Sequence, residues 1–138
     1  MNPAEAVAVF AVMAYLVVVA LLLGSFINMA ADRLPRGESI TQPRSHCRSC
    51  GRVLNLVDLI PVAGYAIRRG RCASCGASIG ASAPAVEAAC GLSMLVALAT
   101  LGLASGALAG SAAIALLGAG AVGWSFARAG ARRESRSD

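Results

Sequence analysis

The sequence predicts an α-helical integral membrane protein: three transmembrane helices, with a polar loop bearing four cysteines between helices 1 and 2. Three observations predict it. Of the 138 residues, 57% are hydrophobic and 14% charged, and the mean hydropathy is +0.69. Soluble domains hold about 45–50% apolar and about 25% charged residues, so this balance excludes disorder, a collagen-like repeat and an ordinary water-soluble enzyme. The second observation is an unbroken apolar run near the N-terminus. The third is a Cys-x-x-Cys-Gly motif that occurs twice.

The first span is assigned to 1–29, around the apolar run Ala6–Leu23. About 18 apolar residues at about 1.5 Å each cross a hydrocarbon core about 30 Å thick, and in lipid a lone crossing segment must be a helix. A cleaved signal peptide would need a basic start and a shorter apolar core, whereas this chain opens Met1-Asn2-Pro3-Ala4-Glu5. The second span is assigned to 84–104, with Pro84 suited to a first helical turn, and the third to 108–126. Gly106 and Gly110 have the small-xxx-small spacing that lets helices approach closely in lipid.

Orientation follows from arginine. All twelve basic residues are arginines; eight lie between Arg33 and Arg71 and four at or after Arg128. Basic flanks stay in the cytoplasm, so three spans place the N-terminus outside and both the 30–83 loop and the basic tail, 127–138, inside. A two-span topology would strand the tail on the wrong side.

The loop carries the chemistry. Cys47-Arg-Ser-Cys50-Gly51 and Cys72-Ala-Ser-Cys75-Gly76 are separated by 21 residues, 51 to 71. Two such pairs suit a closed, structural tetrahedral zinc site with Cys47, Cys50, Cys72 and Cys75 as ligands. Each following glycine supplies the permissive backbone of a tight turn. Two disulfides are the rival reading, disfavoured in a reducing compartment, and no βαβ pattern supports a thioredoxin-like role. Cys90 reads as a small buried apolar residue and His46 as a flanking one. Asp58 reads as the cap of a helix running to Ile67, with Arg68 and Arg69 at its end and Gly70 closing it. This apolar stretch suits either the membrane interface or packing on the knuckles. The loop has one aromatic, Tyr65, and no recognition-helix signature, so nucleic acid is not expected as a partner; membrane lipid explains the arginines.

The run Gly24-Ser-Phe-Ile-Asn28 to Arg33-Leu-Pro35-Arg-Gly-Glu-Ser39, the two cysteine motifs, Asp58-Leu-Ile-Pro61 and Pro84-Ala-Val-Glu87 together resemble the N-terminal domain of type IV prepilin peptidases, over roughly 10–104. The resemblance implies a bacterial inner-membrane protein of leader cleavage and N-methylation, with prepilins or pseudopilins as substrates and S-adenosylmethionine as methyl donor. It marks Asn28, Arg33 and Glu87 as substrate-contacting or structural positions, and Gly70 as a matching one. Arg33 reads otherwise as a headgroup anchor and Glu87 as a carboxylate at a helix start. No catalytic residue is assigned. The family's membrane-embedded aspartate pair, one member in Gly-x-Gly-Asp, has no counterpart among Asp32, Asp58 and Asp138, and aspartyl proteolysis needs two carboxyls sharing a proton. Ser82-Ala83 also stands where the family has Arg-Tyr. The expectation is therefore a non-proteolytic half that works with a separate membrane aspartyl peptidase subunit. The alternatives are a non-enzymatic zinc scaffold and a truncated copy.

Overall fold

A computed structural model describes residues 2–134; the end of the expected basic tail, 135–138, lies outside the described residues. Helix α1 runs Pro3–Arg33. Its start is a capping box: the Asn2 side chain accepts from the Glu5 N–H at 2.8 Å, and the Glu5 carboxylate accepts from the Asn2 N–H at 3.0 Å. These two bonds satisfy donors that a helix start leaves open, and Pro3 lacks the donor that would otherwise be wasted there. At about 1.5 Å per residue, 31 residues reach about 46 Å. The helix thus outruns the hydrocarbon core and carries Asp32 and Arg33 beyond its apolar part. A 3-10 turn, Leu34–Arg36, then ends at Gly37, whose φ is +68°.

The loop contains a short helix α2, Ala63–Ile67, before the chain returns in α3, Ser82–Leu101. Helix α4, Leu103–Glu134, follows after Gly102 alone. The sequence reading ends the second span at 104 and starts the third at 108; the third helix instead starts at Leu103. The reason lies at Gly106, where a Cβ would stand 2.6 Å from the Ala97 carbonyl oxygen and 2.6 Å from the Leu98 Cα. Backbone packs directly on backbone there, so α4 turns back against α3 at once. Gly110 continues the contact on Met94, where a Cβ would meet Sδ at 2.7 Å.

The three long helices are each long and apolar enough to cross a membrane, and each packs on the other two. Their shared core is small: Ala20, Cys90, Met94, Leu98 and Ile114. Cys90 is fully buried there, as a small apolar side chain. Phe10, Leu108 and Leu116 are 74%, 77% and 75% exposed. Large apolar groups turned outward in this number suit a lipid solvent, where helix association comes from close packing rather than water exclusion.

Helices α1 and α3 meet backbone to backbone at Gly24, where a Cβ would stand 2.7 Å from the Glu87 Cα. That atom is backbone and cannot step aside. Gly24→Val should therefore cost about 1–3 kcal/mol by overpacking, seen as a lower thermal midpoint in detergent, while Gly120→Ala, where a Cβ meets nothing within 4 Å, should leave the midpoint unchanged.

Candidate metal centre

The two cysteine motifs fold alike. In the first, the Cys47 N–H donates to the Arg52 carbonyl at 2.8 Å and the Gly51 N–H to the Cys47 carbonyl at 2.9 Å. In the second, the Cys72 N–H donates to the Ala77 carbonyl at 2.9 Å and the Gly76 N–H to the Cys72 carbonyl at 3.0 Å. Each turn is flanked by one antiparallel bridge, His46 with Val53 and Arg71 with Ser78. Gly51 and Gly76 have φ of +71° and +69°, values that side chains resist. A Cβ at either glycine would meet no atom within 4 Å. Backbone conformation, not space, demands glycine here.

The turns face each other and bring four sulfurs together. All four ligand atoms of Cys47, Cys50, Cys72 and Cys75 lie within 4.8 Å of one another, and none is bonded to another. Cys47 and Cys75 sulfurs are 3.8 Å apart, and those of Cys50 and Cys72 are 3.9 Å apart. Four sulfurs at about 2.3 Å from a tetrahedral ion would be about 3.8 Å apart. The cluster can hold a metal ion, with all four positions filled by protein. Such a closed set supplies folding energy and leaves no place for a reacting water. His46 is outside it, its Nδ1 lying 3.0 Å from the Arg44 carbonyl oxygen on the exposed side.

The thiols have unequal acidities. The backbone N–H groups of Cys50 and Ser49 lower Cys47. Cys72 falls to about 6, chiefly through the N–H groups of Cys75 and Ser74, with help from Arg52. At Cys75 the Ala77 N–H lowers the value, but the Cys50 sulfur, burial and the other two sulfurs outweigh it and push the thiol up to about 11. Four adjacent thiols cannot all ionise unaided; a cation among them removes that conflict.

Behind the cluster stands Asp58, its side chain 6% exposed. It accepts from Arg52 Nη2 at 2.7 Å, from Arg68 Nε at 2.6 Å and from the Asn55 N–H at 3.0 Å. Asn55 returns the bond by accepting from the Asp58 N–H at 3.1 Å. Asp58 thus sits inside the 3-10 turn Val57–Leu59, ties it to Asn55, and joins the first knuckle to the end of α2. It does not cap a helix running on to Ile67, as the sequence suggests, because Pro61 and a turn at Val62 interrupt the backbone. Burial raises the Asp58 carboxyl, but the Asn55 N–H and the two guanidinium groups win and hold it at about 2. Arg52 Nε is buried without a hydrogen-bond partner among the described atoms. It is a donor available to a metal-bound thiolate at Cys72.

Arg33 is buried rather than anchored among headgroups. It donates through Nη1 to the Ser39 carbonyl at 2.8 Å and through Nη2 to the Pro43 carbonyl at 2.9 Å. It clamps the start of the loop onto α1. Glu87, buried on α3, accepts from the Val62 N–H at 2.6 Å. Val62 has φ +59° and ψ −50°, with the Ala63 N–H donating to the Pro61 carbonyl at 2.5 Å. This is the strained γ-turn, costly for a β-branched residue. Nothing in the sequence signals it. Asn28 is half-buried on α1, and Gly70 takes φ +66° after α2. The cleft beside Arg33 is about 260 Å³, and Met29, Ile40, Arg44, Leu54 and Leu59 share its lining.

Residues 18–101 match the model of the bacterial peptidase A24 N-terminal domain. The chain belongs to this family. The prepilin leader peptidase/N-methyltransferase of Myxococcus xanthus (strain DK1622) is 41% identical over 78 residues, which are 56% of this chain and 23% of that protein. The enzyme of the same name from Bacillus subtilis (strain 168) is 43% identical over 67 residues, 49% of this chain and 27% of that protein. The one from Burkholderia pseudomallei (strain K96243) is 34% identical over 122 residues, 70% of this chain and 40% of that protein. The chain therefore corresponds to the N-terminal part of prepilin leader peptidase/N-methyltransferases and spans less than half the length of these relatives. No solved structure matches it significantly.

Two outcomes follow for Asp58. Replacing it by Asn should cost about 3 kcal/mol at neutral pH, because two arginines lose a nearly buried partner. Its folded value lies below the ordinary 3.8, so its stabilisation is complete above about pH 4 and is lost as pH falls through about 2. Carboxyl-carbon NMR of the native chain should show that midpoint; a midpoint near the ordinary value would contradict the paired geometry.

Proposed function

We propose that this chain is the non-proteolytic half of a prepilin-processing assembly in the bacterial inner membrane. Zinc is held by Cys47, Cys50, Cys72 and Cys75, and the knuckle domain presents the leader of a prepilin or pseudopilin to a membrane aspartyl peptidase partner. The N-terminus lies outside, and the cysteine loop and C-terminus lie in the cytoplasm. What carries the reading is the family match confined to the domain that holds the four-cysteine cluster.

The arrangement of charge supports it. Two carboxyls sharing one proton are what aspartyl proteolysis needs. Asp58 is committed to Arg52 and Arg68, and Asp32 to Arg36 and Arg48. Both are acceptors in structural ion pairs on the polar side of the helices, which leaves neither free to share a proton. N-methylation from S-adenosylmethionine belongs to the assembled enzyme in this reading, with no residue of this chain assigned to the donor. Arg33 and Glu87 serve the loop: Arg33 fixes its start on α1 and Glu87 fixes its middle, at Val62, on α3, while Asn28 lies five residues before Arg33 on α1.

The soft ligand set and closed geometry favour zinc. Elemental analysis of the detergent-purified chain should give about one zinc per chain, and Cys72→Ser should lower that content and expose the loop to protease. Function is tested by co-expressing a tagged prepilin with a Gly-x-Gly-Asp membrane protein in cells without other processing activity. Mature pilin should accumulate only when this chain is also present, and Cys72→Ser should reduce it. Equal leader cleavage with and without the chain would refute the assignment.

A further inference from the structure

The stretch Leu56–Ile67 presents large apolar side chains that the described residues leave exposed. Leu56 is 84% exposed, and Leu59, Ile60 and Ile67 are also exposed. Water would penalise this: full burial of each such side chain is worth about 1.5–3 kcal/mol. The single acid of the stretch, Asp58, is turned inward and neutralised by Arg52 and Arg68. What faces outward is therefore almost wholly apolar.

The depth of this surface can be read from the helices beside it. Helix α3 has 20 residues, about 30 Å, which matches the hydrocarbon thickness with nothing to spare. Glu87 is five residues inside its start, about 7–8 Å along the axis. Side chains lean toward a helix N-terminus, so the Glu87 carboxylate and the Val62 N–H bonded to it at 2.6 Å sit in the outer part of the span. The second marker is Leu59, which shares a cleft with Met29 on α1. Met29 precedes Asp32, the first charge of that helix after Glu5. Both markers place the stretch level with the edge of the hydrocarbon, not above it.

Charge completes the match. Residues 30–83 hold eight arginines against three acids, Asp32, Glu38 and Asp58. Arg69 and Arg71, two and four positions after Ile67, are exposed and make no ion pair among the described residues. Apolar groups below and arginines above form the pattern of a segment lying in the membrane interface, where anionic headgroups attract the basic rim.

We infer that Leu56–Ile67 is an interfacial membrane anchor, its apolar side chains inserted in the leaflet on the cysteine side and Arg69 and Arg71 set among anionic lipid headgroups. The Glu87–Val62 bond is the latch that keeps the strained turn at that depth. The metal domain is thereby held against the bilayer surface by a third attachment, besides α1 and α3. This inference does not depend on the proposed role in prepilin processing.

The test is depth-dependent fluorescence quenching on the full chain. In a Trp124→Phe background, Leu56→Trp, Ile60→Trp and Ile67→Trp each report one anchor position, and Ala73→Trp reports the tip of the second knuckle. The variants are placed in bilayers of phosphatidylethanolamine and phosphatidylglycerol whose acyl chains are brominated near the headgroup. Blue-shifted emission is expected at the three anchor positions, with quenching roughly threefold or more above that at position 73. Unquenched, water-like emission at 56, 60 and 67 would overturn the inference. Blue-shifted emission without quenching would also overturn it, because protein rather than lipid would then cover the patch. Positions 56, 60 and 67 are exposed, and circular dichroism of each variant confirms an unchanged helix content before quenching is read.

Discussion

The polar insert has almost no apolar core, and this makes the meeting of four sulfurs the constraint on which its shape depends. Among the described residues, Cys72 is the only hydrophobic one buried between α1 and α3; the other buried ones belong to the helices. A loop of this size cannot repay its conformational entropy through hydrophobic burial. Local turn geometry supplies part of the order: two knuckles of the same hydrogen-bond pattern, each closed by a glycine at positive φ. Convergence of the sulfurs supplies the rest, since a ligand that binds the folded loop alone stabilises it by its binding energy.

The helical part solves a different problem with a different force. In lipid, apolar side chains gain little by leaving the solvent, so helix contacts rely on close approach. That is why the shared core is small and the decisive positions are glycines at crossings, Gly24 under Glu87 and Gly106 under Ala97 and Leu98. Leucine and phenylalanine, which would fill a soluble core, mark the outside instead.

Two buried charged side chains join these regions. Arg33 at the end of α1 grips backbone carbonyls of Ser39 and Pro43, and Glu87 near the start of α3 grips the backbone of Val62. Each bonds main chain rather than a side chain, so each fixes the path of the loop without requiring a particular residue at the far end. Burying a charged group at the membrane edge is expensive unless its hydrogen bonds are met. Here the loop backbone meets them, and the loop in turn acquires a fixed place on the helices. Asp58 extends the same logic inward by tying the first knuckle to the end of α2 through two arginines.

Much of this was legible in the residues alone. Apolar runs long enough to cross a bilayer admit one secondary structure, because a backbone in lipid must satisfy its own hydrogen bonds. The paired Cys-x-x-Cys-Gly motifs announce a ligand cluster, because thiols at that spacing on tight turns point the same way. The local signals failed where distant segments compete for the same group. Asp58 has the look of a helix cap, but two arginines from opposite sides of the loop claim it. Arg33 looks like a headgroup anchor until the loop supplies carbonyls for it. Val62 has no local signal for its turn, since a β-branched residue avoids positive φ unless something far off holds it there. Tertiary structure decided these cases: a buried charge takes the partners that folding brings to it, and those partners are remote in sequence.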